Sequence, residues 1–256
     1  MLPSGIISLL RKRLISVLTF NEGVLFRTKL FVPDYRYTLN FVDAWSIDEI
    51  IVLDITRDEN STDNTFFKVI EDFSKRCFVP ITVGGGIRSK EDVDKYLSLG
   101  ADKVVLNTQA ISNPTFITEV AKSYGSQSVV VSIDVKNTKK NEYTVFKDFG
   151  KTNTDLHPVL WAYEAQELGA GEIMITSIDR DGSLLGYDLE LSKIVSDKVD
   201  VPVLIAGGAG NWKHLVEGIQ KGRASAVCIT NIYHFTETAI SSAKKYMHNQ
   251  GVPVRL

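Results

Sequence analysis

Cysteine is scarce in this chain: Cys77 and Cys228 are the only two among 256 residues. Both sit in or beside apolar runs without metal-ligand spacing, so each reads as a buried structural thiol. Nothing in that usage implies an oxidising compartment. A surplus of charge is lacking too. The net charge of −2 gives no general attraction to nucleic acid or to a membrane surface. Long hydrophobic runs are also missing; none approaches the roughly 18 residues of a membrane helix. The opening Met1-Leu-Pro-Ser-Gly-Ile-Ile-Ser-Leu-Leu10 is apolar, but its basic cluster Arg11-Lys12-Arg13 follows that stretch instead of preceding it. No small-residue cleavage site is evident either. The expectation is a cytoplasmic protein that uses no nucleic acid, membrane, metal or cofactor.

What is present is ordinary globular composition, 44% hydrophobic and 23% charged. The length is ample for a sizeable core, and no stretch looks like a linker or a low-complexity segment. Residues 1–256 read as a single domain, with 1–12 as an N-terminal extension.

The most informative stretch is Val79-Pro-Ile-Thr-Val-Gly-Gly-Gly-Ile87. A short apolar run bounded by Pro and Gly reads as a buried strand, and Ser89-Lys-Glu-Asp92 then opens a helical pattern. Glycines at that junction let backbone N–H groups approach a ligand, and a helix N-terminus just beyond favours an anion. Val201-Pro-Val-Leu-Ile-Ala-Gly-Gly-Ala209 repeats the arrangement 122 residues later. Two phosphate cradles are the functional reading. The bland alternative is a pair of tight turns without ligand.

Around these stretches, apolar runs alternate with amphipathic ones. The strand expectations are Leu14–Thr19, Ile50–Ile55, Pro80–Val83, Lys103–Leu106, Ser128–Asp134, Glu172–Ser177, Val201–Ala206 and Ala224–Thr230. Helices are expected over Asp63–Arg76, Lys90–Leu99, Thr115–Tyr124, Pro158–Leu168, Leu189–Asp197, Trp212–Lys221 and Thr236–Asn249, with a weak one at Phe41–Trp45. Asn113-Pro114 supplies an N-cap and a first-turn proline to the third. Eight strands alternating with helices predict an α/β fold, a parallel (β/α)8 TIM barrel. An internal repeat strengthens this. Asp48–Asp58 aligns with Gly171–Asp181, and Ile15–Thr19 aligns with Val130–Asp134, giving two half-barrels.

In such barrels chemistry sits at the C-terminal ends of the strands. Those positions hold Thr19, Asp54, Gly85, Gly86, Asn107, Thr108, Asp134, the segment Ser177–Ser183, Gly207, Gly208 and Asn231. Polar groups at so many strand ends suit a phosphorylated small molecule spanning the mouth. The candidate phosphate ligands are Gly85, Gly86, Asn107, Thr108, Gly182, Ser183, Gly207, Gly208 and Asn231. Asp134 is the leading acid–base candidate, with Asp181 beside it; the bland alternative is that Asp134 caps a loop. At the opposite ends of the strands stand Arg13, Glu49, Lys103 and Glu172. They read either as solvated ends or, if they point inward, as a ring of paired charges able to gate a small polar molecule.

At these residues the chain resembles the cyclase subunit of imidazole glycerol phosphate synthase, HisF, over nearly everything from Ile47 to Leu256. The resemblance rests on Leu53-Asp-Ile-Thr56, Thr82-Val-Gly-Gly-Gly-Ile-Arg88, Gly100-Ala-Asp-Lys103, Gly125-Ser-Gln127, Gly169-Ala-Gly-Glu172, Thr176-Ser-Ile-Asp-Arg-Asp-Gly182, Gly186-Tyr-Asp188, Gly207-Gly-Ala-Gly210 and Gly251-Val-Pro-Val-Arg255. It implies a barrel that binds a ribulosyl-formimino nucleotide through two phosphate sites. It also implies a HisH-like glutaminase partner, docked on the opposite face as a heterodimer and sending ammonia through the axis. By that resemblance Asp134 is the second of two catalytic aspartates, Arg13, Glu49, Lys103 and Glu172 form the ammonia gate, and Asp102 belongs to the partner interface.

The first catalytic aspartate falls on Thr19, a degenerate position, since a hydroxyl cannot exchange a proton near neutral pH as a carboxylate can. The loop lysine that follows is Arg27, and between Arg27 and Glu49 the chain is about five residues short of the family pattern. Serines used for phosphate become Ala206 and Asn231. An intact floor beneath an altered mouth points to a divergent second-copy paralogue. Such copies serve amidino-sugar chemistry in surface-polysaccharide (lipopolysaccharide) biosynthesis, with a third amidotransferase protein as a further partner. The competing expectations are an active cyclase of histidine biosynthesis and a non-catalytic barrel that only activates its glutaminase.

Overall fold

The computed structural model describes residues 11–36, 47–57, 65–139, 142–230 and 237–256. In chain order the elements are β1 (Arg13–Asn21), β2 (Val24–Lys29), β3 (Val32–Arg36), β4 (Glu49–Asp54), α1 (Thr65–Arg76), β5 (Ile81–Gly84), α2 (Lys90–Ser98), β6 (Lys103–Leu106), α3 (Thr108–Ser112) and α4 (Thr115–Tyr124). There follow β7 (Val129–Lys139), β8 (Glu142–Lys147), β9 (Thr152–Asn153), α5 (Pro158–Glu167), β10 (Glu172–Ser177), α6 (Leu189–Ser196), β11 (Val203–Ala206), α7 (Trp212–Gln220), β12 (Ala226–Ile229) and α8 (Glu237–Asn249).

Eight of these strands run parallel in the order β10-β11-β12-β1-β4-β5-β6-β7, and β7 pairs back with β10 to close the barrel. The fold is a (β/α)8 barrel. Each strand is an apolar run because each is covered on both faces. Two hydrophobic cores result. The larger packs the helices against the outer wall, through residues such as Ile70, Ile117, Trp161 and Leu215. The smaller fills the barrel itself, with Ile15, Val17, Ile51, Val105, Val130, Met174, Leu204 and Cys228.

Local chemistry fixes the helix starts. Ser89 and Asp92 form a capping box at α2. Asp188 accepts from the Leu191 N–H at α6, and Asn211 accepts from the His214 N–H at α7. At α4 the expectation is revised: the cap position is Pro114, which has no side-chain cap, and the Asn113 side chain accepts from the Thr115 hydroxyl, 2.7 Å away. Below the barrel, buried Lys244 of α8 reaches Asp48 at 2.6 Å, and the other oxygen of Asp48 accepts the Leu14 N–H. That pair ties the last helix to the first two barrel strands.

Two strands outrun their expected ends. β1 continues past Thr19 to Asn21 and turns back as β2, and β7 continues past Asp134 to Lys139 and turns back as β8. Both are first strands of a half-barrel, so the repeat extends to its antiparallel hairpins. The weak helix expected at Phe41–Trp45 and the start of the one expected from Asp63 lie outside the described residues. Among the described residues no helix is long and apolar enough to cross a membrane.

Candidate functional site

A cavity of about 350 Å³ opens at the C-terminal ends of the barrel strands. Its floor is apolar, made by Val17, Val105, Met174 and Ala206, and its wall carries the carboxylates of Asp54, Asp134, Asp148 and Asp181 with the guanidinium of Arg88. The cavity wall also includes Thr19, Gly85, Gly86, Asn107, Thr108 and Gly207. Gly182, Ser183 and Gly208 are not part of that wall. A Cβ on Gly182 would stand 2.8 Å from the Thr28 carbonyl oxygen, and one on Gly208 would stand 2.3 Å from the Gly186 carbonyl oxygen. The Ser183 hydroxyl accepts from the Leu185 N–H. Asn231 lies outside the described residues.

Asp134 is buried at the end of the fifth barrel strand. It accepts from Asn107 Nδ2 at 2.6 Å and from the Ser132 hydroxyl at 3.2 Å. Burial pushes its carboxyl up to about 7; the two hydrogen bonds pull it down, and the charge of Asp181 adds to the rise. A carboxyl poised there can both give and take a proton near neutral pH. Asp181, in the loop after β10, is also buried and raised for the same first reason, opposed by bonds from the Phe31 N–H and the Thr28 hydroxyl. Two further groups face this space without a hydrogen-bond partner among the described residues: buried Asn107 Oδ1 and Thr176 Oγ1. Unpaired buried polar atoms are costly, and these two stand where a ligand could bond them.

The structure puts Thr19 and Asp134 in matching places. Thr19 pairs with Phe26 across the β1–β2 hairpin, and Asp134 pairs with Phe146 across the β7–β8 hairpin. The side chains differ in what they do. The Thr19 hydroxyl donates to the Phe26 carbonyl oxygen and so is engaged by its own hairpin.

The tips of the two hairpin extensions meet over the mouth. Leu30 and Phe31 form the turn between β2 and β3 with φ of 51° and 63°, values that favour glycine, and Asp148 and Phe149 sit at 53° and 59°. Bulky residues in the left-handed region cost about 1–2 kcal/mol each, so the tips persist only because other contacts hold them. Leu30 N–H donates to the Asp181 carbonyl at 3.3 Å. Arg57 donates to the Phe31 carbonyl and lies over the Phe149 ring at 5.4 Å. The Asp148 N–H donates to the Thr108 hydroxyl at 3.1 Å.

At the other end of the axis the four floor charges point inward and close on one another. Arg13 lies 2.7 Å from Glu49 and 2.8 Å from Glu172; Lys103 lies 3.0 Å from Glu49 and 3.1 Å from Glu172. Thr82, fully buried, donates to Glu49 at 2.8 Å. Asp102 is exposed beside the ring, with its carboxylate accepting the Ile81 N–H.

Sequence reasoning missed Ser132, Thr176, Thr82, Thr28, Phe31 and both hairpins. Ser132 carried a readable signal, since it stands two residues before Asp134 on one strand and so shares its face. The Leu30-Phe31 turn carried none, because neither residue is a turn former.

A protein-family model described as "Histidine biosynthesis protein" matches residues 16–239.

Proposed function

The chain belongs to the histidine biosynthesis protein family, and from that premise we propose that it is a divergent synthase subunit fed with ammonia by a HisH-like glutaminase. Membership makes it a synthase-type barrel of histidine or related biosynthesis. In the finer reading the glutaminase docks beneath the barrel near Asp102, and ammonia passes Arg13, Glu49, Lys103 and Glu172 and reaches the mouth. There it is used on, or relayed to a third protein acting on, a phosphorylated acceptor other than the usual nucleotide. Amidino-sugar formation for surface polysaccharide is the pathway proposed. The observation that carries this reading is the closed, inward-facing floor ring combined with a Thr19 hydroxyl that is no acid–base group and is already engaged by Phe26.

Asp134 supplies the proton exchange that carbon–nitrogen bond formation requires: an attacking amine must lose a proton as the leaving oxygen gains one. Asp181 is the second acid–base group. Gly85, Gly86 and Gly207 offer backbone at the wall for phosphate. Co-purification of a glutaminase, with glutamine turnover rising when the two are mixed, tests the proposal; no complex at micromolar concentrations would sink it.

One observation favours a second reading. Two buried carboxylates, Asp134 and Asp181, still face the cavity, so the acid–base pair of a histidine-pathway cyclase has a substitute member. Supplying the ribulosyl-formimino substrate with ammonium and assaying for imidazole glycerol phosphate decides between the two.

A further inference from the structure

The cavity is short of donors. Its wall carries the carboxylates of Asp54, Asp134, Asp148 and Asp181, and among the described residues Arg88 is the single cation there. Arg88 is exposed, just beyond Gly86 in the chain, whereas Asp134 and Asp181 are buried. An anion therefore has a place at the glycine edge, on backbone N–H groups, but not between the buried carboxylates, where like charges would be desolvated together. No compensating cation comes from the floor ring either, because Arg13 and Lys103 are each shared between Glu49 and Glu172.

Acceptors, by contrast, are spare. Thr176 is only 7% exposed, and its Oγ1 has no partner among the described residues. The β7–β10 register sets Thr176 opposite Asp134, so the two side chains leave the sheet on one face, and both line the cavity. Asn107 commits its Nδ2 to Asp134 Oδ2, which leaves its buried, unpaired Oδ1 as an acceptor only. Asp134 takes one bond on each oxygen, from Asn107 and Ser132, and a carboxylate has room for about four. Unpaired buried acceptors and uncompensated carboxylates are both costly, and a cation carrying several N–H donors relieves both. We propose that the part of the cavity lined by Thr176, Asn107 and Asp134 receives a nitrogen cation of the acceptor molecule, an amidinium or protonated amine, while its anionic groups stay at the glycine edge. This rests on the reading of the cavity as the acceptor site, and not on the glutaminase. The same cation offsets the repulsion by which the Asp181 charge raises the Asp134 carboxyl. A ligand so held carries both signs, phosphate outward and nitrogen cation inward.

The test is an NMR titration of the full chain alone, above the Asp134 midpoint, following the Asn107 side-chain amide and the Thr176 methyl. Three probes of one shape differ only in charge: acetamidinium, acetamide and acetate. Acetamidinium should bind saturably and roughly 10-fold or more tighter than acetamide, and acetate should not bind between the carboxylates. Thr176→Val should weaken acetamidinium roughly fivefold without lowering the thermal midpoint, since the hydroxyl it removes is unpaired; Thr176→Ser should keep the affinity. Should Thr176→Val fail to fold, Asp134→Asn keeps the shape, removes the charge and should weaken acetamidinium but not acetamide. Acetamide or acetate matching acetamidinium, no saturable shift from acetamidinium, or an affinity unmoved by these variants overturns the proposal. Ammonium binding tighter than acetamidinium overturns it as well, because the place then belongs to the delivered nitrogen and not to the acceptor. Selectivity for acetamidinium in a chain that forms no glutaminase complex sinks the ammonia-delivery reading alone; a complex without that selectivity sinks only this inference.

Discussion

Thr82 Oγ1 donates to Glu49 Oε1 over 2.8 Å inside the barrel, so the floor ring is anchored to the wall of the third barrel strand as well as closed on itself. Replacing Thr82 with Val removes that anchor without changing volume much and should cost about 1 kcal/mol. Lys103→Met is more severe, because Glu49 and Glu172 then share Arg13 alone; about 3 kcal/mol is expected. Urea unfolding at neutral pH measures both. A loss below about 0.5 kcal/mol for Lys103→Met would mean that the ring is effectively solvated.

Asp134 makes stability depend on pH. Its folded carboxyl titrates at about 7, against about 3.9 for an unfolded aspartate. Between those values the folded chain binds more protons than the unfolded chain, so stability falls as pH rises from about 4 to 7 and then levels off. Asp181 is raised too and acts in the same direction. Asp134→Asn should flatten that slope in thermal melts across the window. The same variant should lower product formation by roughly 10²–10⁴-fold, while a barrel that serves only to activate a glutaminase would retain full output.

The glycines of the first cradle should not respond alike. A Cβ on Gly85 would meet the Asp54 carbonyl oxygen at 2.1 Å, whereas one on Gly86 meets nothing within 4 Å. Gly86→Ala therefore carries only the backbone cost of its φ of 66°, about 1 kcal/mol. Gly85→Ala must displace main chain as well and should lose several times more. Equal midpoints in guanidinium for the two variants would refute this account.

Lys244→Met tests the clamp beneath the barrel. It strips Asp48 of its 2.6 Å partner in a buried setting, and a loss of about 3 kcal/mol is expected in urea.

Much of the fold is legible in the sequence. Lys103–Leu106 and Glu172–Ser177 coincide with observed strands, because a strand covered on both faces writes itself as an uninterrupted apolar run between punctuating residues. The floor ring was legible as a conditional: the sequence placed four charges at strand starts, but only the geometry shows them turned inward. The hairpins mark the boundary of what sequence conveys. Glu22-Gly23 between β1 and β2 is a readable turn, with φ of 52° and 70°. Leu30-Phe31 is not, since tertiary bonds to Asp181 and Arg57, and no local preference, hold it in place. The unpaired oxygens of Asn107 and Thr176 were equally out of reach, as hydrogen-bond satisfaction is a property of the assembled mouth.

Every ion in the floor ring touches two opposite charges. Any one contact can therefore swing apart while the other holds, and no step of such a rearrangement strands a solitary charge in the barrel. Two cations against two anions also leave the ring without a monopole of its own. An uncharged molecule at that end of the axis would meet paired dipoles, whereas an ion of either sign would have to break into a balanced quartet.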